Sequence, residues 1–138
     1  YNILLLNCSK NLINIKRGNN MKEITEIRRK VKRYELLLTK DVEEAKQNCD
    51  IYLEDIESLK RDINIEIYYM FRIIDNCCER RKKVFFDTSR NVFNESVKSI
   101  KLKKVNFEIR RARDKVFKLT SLKSRVESME NKFNNLKK

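Results

Sequence analysis

A chain of 138 residues, 38% of them charged, with no proline and with Gly18 as its single glycine, lacks the punctuation that tight turns need, which excludes most strand-rich folds. The absence of histidine removes the Ser-His and Cys-His nucleophile pairs and most zinc-site patterns, and one glycine cannot build a phosphate-cradling loop. A net charge of +13 admits nucleic acid, an anionic membrane or an acidic protein as partner.

Residues 1–20 differ from the remainder. Ile3-Leu4-Leu5-Leu6 is an apolar run, followed by Leu12, Ile13 and Ile15 before Lys16-Arg17-Gly18. It falls far short of the roughly 20 apolar residues that span a bilayer, and no charged region precedes it as in a signal peptide. Leu5-Leu6-Asn7-Cys8 has the outline of a bacterial lipoprotein cleavage box, but asparagine stands where that box has a small residue. The segment is expected to be irregular and outside the fold, with Met21 as an alternative start. The helical domain is expected over 21–138.

From Ile24 a heptad rhythm begins. Ile24, Ile27, Val31, Tyr34 and Leu38 are spaced three, four, three and four. After a less regular passage at Val42 and Ala45 it resumes at Cys49, Tyr52, Ile56, Leu59 and Ile63, and continues through Ile67, Met70, Ile74 and Cys77. Such spacing averages 3.5 residues, close to the helical period, and predicts a left-handed coiled-coil seam. Between Ile63 and Phe86 the apolar face widens to take in Ile65, Tyr68, Tyr69, Phe71, Ile73 and Cys78. A helix apolar over so much of its surface must be covered on several sides, so this centre is expected to be bundle-like, with two-helix flanks.

Asp87-Thr88-Ser89-Arg90-Asn91 is a candidate break, because such side chains compete for backbone hydrogen bonds. The rhythm returns at Val105, Ile109, Ala112, Val116, Leu119, Leu122, Val126, Met129, Phe133 and Leu136. The step from Leu119 to Leu122 is three where four is due, which marks a second candidate break over 119–122.

Charge is laid out in blocks. Lys10–Lys40 has ten basic and three acidic residues, Asp41–Tyr68 three and nine, and Glu79–Lys118 fourteen and five. A parallel dimer would oppose like blocks. An antiparallel homodimer with its twofold near residue 75 would set Asp41–Tyr68 against Lys82–Ile109, and so would a hairpin turning near Asp75-Asn76. Flanking charges of this kind choose partner and orientation while the seam supplies adhesion.

The order of an acidic helix from Asp41-Val42-Glu43-Glu44-Ala45 to Leu53-Glu54-Asp55-Ile56-Glu57-Ser58-Leu59, then Ile67-Tyr68-Tyr69-Met70-Phe71, then Glu79-Arg80-Arg81-Lys82-Lys83-Val84-Phe85 and a lysine-rich continuation resembles the B-box C-terminal coiled coil of tripartite-motif (RING, B-box, coiled-coil) proteins. The likeness covers about residues 41–116. It implies a long antiparallel dimer holding other domains at its ends. The zinc ligands of the family's RING and B-box have no counterpart here, so no ligase activity is implied.

Cys77-Cys78 and Cys49 read as small seam and core residues, since adjacent cysteines on a helix diverge by about 100°. If the twofold lies near residue 75, Cys77 would approach its copy. Arg80, Arg81, Lys82, Lys83, Lys101, Lys103, Lys104, Arg110, Arg111 and Arg113 form the candidate anion or nucleic-acid contact. Phe85, Phe93, Phe107 and Phe117 could stack on bases, but their helical spacing predicts most of them beside the seam, in the core. The acidic pairs Glu43-Glu44 and Glu54-Asp55 read as solvated charge.

The expectation is an all-α protein of long helices in an antiparallel coiled coil, non-enzymatic, without cofactor or metal, that dimerises or scaffolds through the seam. A basic nucleic-acid-associated protein and a membrane-anchored surface protein using Ile3–Leu6 are the alternatives. No transmembrane span is expected. Four scattered cysteines fit a reducing, intracellular and cytoplasmic setting.

Overall fold

The computed structural model describes residues 20–86 and 92–138, with side chains over 23–86 and 95–138. The expectations for residues 1–19, including Cys8, for the break at 87–91 and for the Phe93 side chain lie outside the described residues. Four helices follow in order, α1 (Asn20–Lys40), α2 (Val42–Gln47), α3 (Cys49–Phe85) and α4 (Val92–Lys137), and no strand occurs among the described residues. The protein is all-α.

The helix ends carry local signals. Glu23 stands in the first turn of α1 and Lys40 in its last, each opposing the helix dipole. Asp41 caps α2, its side chain accepting from the Glu44 backbone N–H at 3.3 Å. The sequence predicts no interruption here, yet the chain reverses between Lys40 and Cys49. Tyr34 and Tyr52 lie with ring centroids 5.9 Å apart, whereas an unbroken helix would separate them by about 27 Å. The physical reason is the Asp41 cap, which offers the backbone a new helix start without glycine or proline.

The expected break at 119–122 does not occur, because α4 runs unbroken to Lys137. Leu119 and Leu122 are both buried. Residues three apart share a helix face, so the short step keeps both side chains inside.

The chain divides into two compact units, one of residues up to Glu66 together with Lys118–Lys138, the other of Ile67–Phe117. In the first, α1, the start of α3 and the end of α4 pack together. Ile56, Ile63, Leu119 and Phe133 are fully buried there, each stabilising the fold by about 1.5–3 kcal/mol. Asp50 pairs with Lys137 at 2.7 Å and Lys60 with Glu130 at 3.0 Å, so α3 and α4 run in opposite directions. Glu35 on α1 pairs with Arg125 on α4. The Tyr34 hydroxyl donates to Asp55 at 2.9 Å. Its phenol is pushed up to about 12, first by burial and then by that hydrogen bond.

In the second unit, α3 and α4 again run oppositely, with Cys77 beside Glu108 and Arg81 beside Asn106. Cys77, Val105 and Ile109 form its buried cluster, with Ile73 and Cys78 packed against it. The wide apolar centre expected over 63–86 takes a different form. The three-helix packing belongs to the first unit, while the second has two helical segments and leaves Phe71 and Phe86 exposed.

Candidate functional site

Two sets of residues carry the functional expectations: the 24 apolar seam positions and the ten cations. Of the seam positions, Leu38, Tyr52, Ile67, Val116 and Leu136 are half-buried and the other nineteen are buried. They are covered within one chain. A second molecule is not required to hide this stripe, because α1, α3 and α4 supply one another's cover. Ala45, Tyr69 and Glu66 are buried as well, and only Ala45, four residues before Cys49, was marked by the rhythm.

The charge blocks also meet differently from the expected register. Lys30 and Arg33 on α1 share a cleft with Asp55 and Asp62 on α3. The acidic block is thereby answered inside the first unit, which over residues 20–66 and 118–138 holds sixteen basic and fourteen acidic residues, a net charge of +2. Residues 67–117 hold fourteen basic and six acidic residues, a net charge of +8. Because the reversal falls beyond Phe85 and not at Asp75-Asn76, the basic end of α3 lies beside the basic start of α4.

All ten candidate cations belong to this second unit, and one of them is tied down by an ion pair. The Arg80 guanidinium donates to Glu108 and, at 3.1 Å, to the Cys77 sulfur. That guanidinium holds the Glu108 carboxyl below its ordinary range. Burial pushes the Cys77 thiol up, although Arg80 works against the shift. Arg81 donates to Asn106 at 3.2 Å. Lys82, Lys83, Lys101, Lys103, Lys104, Arg110 and Arg113 are exposed and form no salt bridge among the described residues.

The aromatics expected in the core are outside it. Phe85 is 62% exposed, Phe107 54% and Phe117 74%. The reason is angular, since Phe107 follows the buried Val105 by two residues, about 200° around the helix. It points away from the core, between Lys103-Lys104 and Arg110-Arg111 on the same face. The Arg111 guanidinium lies 6.0 Å from the Phe107 ring centroid, and Lys98 Nζ lies 5.9 Å from that of Phe85. Phe85 and Phe86 meet edge to face at 5.3 Å and line a groove with Cys78, Arg81, Lys82, Leu102 and Asn106.

Among the described residues, no cluster of three or more cysteine, aspartate or glutamate side chains could hold a metal ion, and no helix is long and apolar enough to cross a membrane. Of the acidic pairs expected to be solvated charge, Glu43 and Glu54 are exposed on helix surfaces, whereas Glu44 accepts from the Tyr52 hydroxyl and Asp55 from that of Tyr34, each at 2.9 Å. Compared with protein-family models, with curated proteins and with solved structures, the chain matches none.

Proposed function

We propose that the chain is a non-enzymatic helical module for macromolecular association, and that its contact surface is the basic, phenylalanine-bearing exterior of residues 67–117. The observation that carries this reading is the uneven charge, +8 over residues 67–117 against +2 over residues 20–66 and 118–138, or +5 once Lys10, Lys16 and Arg17 are counted with them. Like charges held side by side destabilise a compact state, so an uncompensated surface of this kind is relieved by an acidic partner. The seam serves the fold, and the exposed cations and rings of residues 67–117 are left for contact.

The full chain is expected to stay on a polyglutamate resin at about 150 mM salt, where weak charge contacts are already screened, and to lose retention when Lys103, Lys104, Arg110 and Arg111 are changed to glutamine. Elution of the unaltered chain below that salt refutes the reading. Sedimentation at micromolar concentration is expected to give a monomer. A dimer would instead support the antiparallel pairing that the seam spacing and the tripartite-motif resemblance imply.

A further inference from the structure

The acidic partner can be narrowed by asking what the exposed rings are for. On the outer face of α4, Phe107 has Lys103 and Lys104 three to four residues before it and Arg110 and Arg111 three to four residues after. A ring is thus set between two pairs of cations within about 12 Å of helix. Arg111 lies over that ring at 6.0 Å. Phe85, on α3, repeats the arrangement with Lys98 at 5.9 Å.

Phenylalanine offers no hydrogen bond, so it cannot read the edge of a base; what it offers is a flat face. We propose that the exterior of residues 67–117 binds single-stranded nucleic acid, with Lys103, Lys104, Arg110 and Arg111 neutralising successive phosphates and Phe107 and Phe85 stacking on unpaired bases. The inference rests on the association reading above and names the partner of that same surface.

Other acidic partners use only part of this surface. A duplex keeps its base faces stacked inside, so the open rings would contribute nothing to holding it. An acidic protein would meet the cations and leave the rings idle. A bilayer requires a continuous apolar face, and on this face Ile100 and Phe107 stand seven residues apart with lysines between them. A second copy of the chain offers an acidic block that is already matched by α1 inside its own unit.

Fluorescence anisotropy of the full chain with a labelled oligo-dT of about 15 nucleotides tests the proposal. Four phosphate contacts predict a slope of log K against log salt of about −3. Phe107→Ala and Phe85→Ala, both at exposed positions, are expected to leave the circular dichroism unchanged, to weaken oligo-dT binding by on the order of tenfold and to leave polyglutamate retention unaltered. Equal affinity for the duplex, equal affinity of the phenylalanine variants, or preference for vesicles of phosphatidylserine and phosphatidylcholine overturns the proposal while the association reading stands. Failure to bind either oligo-dT or polyglutamate removes both.

Discussion

Two phenylalanines on one helix, sixteen residues apart, make opposite predictions. Phe133 is the largest fully buried side chain, its ring centroid 5.8 Å from that of Tyr52, with the Cys49 thiol donating to its backbone carbonyl at 3.0 Å. Truncation to alanine leaves that carbonyl in place and removes the ring. A phenylalanine buries about 150 Å² or more, so the transfer loss alone is close to 4 kcal/mol at about 25 cal/mol/Å². Measured costs of such truncations run at about 3–5 kcal/mol. For a chain of this length that loss lowers the melting temperature by roughly 10–20 °C. Phe117 is 74% exposed, and Phe117→Ala is expected to change stability by no more than about 0.5 kcal/mol, roughly 2 °C. Thermal melts followed by circular dichroism at 222 nm compare the two variants with the unaltered chain. Equal shifts, or a larger one for Phe117→Ala, would refute the assignment of inward and outward faces along α4.

Acid sensitivity follows from Glu35 and Glu108, whose carboxyls are held low by hydrogen bonds from Arg125 and Arg80. A folded-state value below the unfolded one gives stability that is complete above the ordinary carboxylate range and is lost as pH falls through the lowered values. Melting temperature is therefore expected to hold from about pH 7 to pH 5 and to drop below roughly pH 4, less steeply in a Glu35→Gln, Glu108→Gln variant. Both pairs are partly open to water, so the difference is modest; a chain more stable at pH 3 than at pH 6 contradicts the account. The thiols give another check. Cys77 is fully buried with its thiol pushed up, whereas Cys78 is half-buried. Alkylation of the native chain is expected at Cys78 before Cys77, with no cross-linked dimer through Cys77 on a non-reducing gel. Prior labelling of Cys77 would show the core to be open.

The inward positions were legible because three-four spacing reports the face of a helix whatever covers it. For the same reason the spacing was silent on whether that cover came from this chain or another. Val31 and Val126 pack identically in either case as far as period is concerned. The reversal after Lys40 was written in Asp41-Val42-Glu43-Glu44, an aspartate followed three residues later by glutamate, which is a helix-start signature. It stands there without glycine or proline, the residues that ordinarily mark a reversal. Phe107 and Phe117 could also have been placed from a helical wheel, since each is off the stripe defined by Val105, Ile109, Ala112 and Val116. The charge register was not legible, because it depends on where the α3–α4 pairing is centred: Cys77–Glu108 and Arg81–Asn106 put that centre near residue 93, about eighteen residues beyond the expected 75, and the offset decides which block meets which.

The partners in the second unit are 25 to 31 residues apart along the chain, as in Arg81–Asn106 and Cys77–Glu108. In the first unit α1 meets α3 over a similar span, 21 residues for Tyr34–Asp55, but the partners on α4 are 70 to 90 residues away, as in Lys60–Glu130 and Glu35–Arg125. Closing the longer loops costs about 1 kcal/mol more in chain entropy, and local contacts form sooner. During synthesis, residues 67–117 are complete while α1 and the start of α3 still lack the cover of Lys118–Lys138. The basic surface is thus formed before the first unit can close.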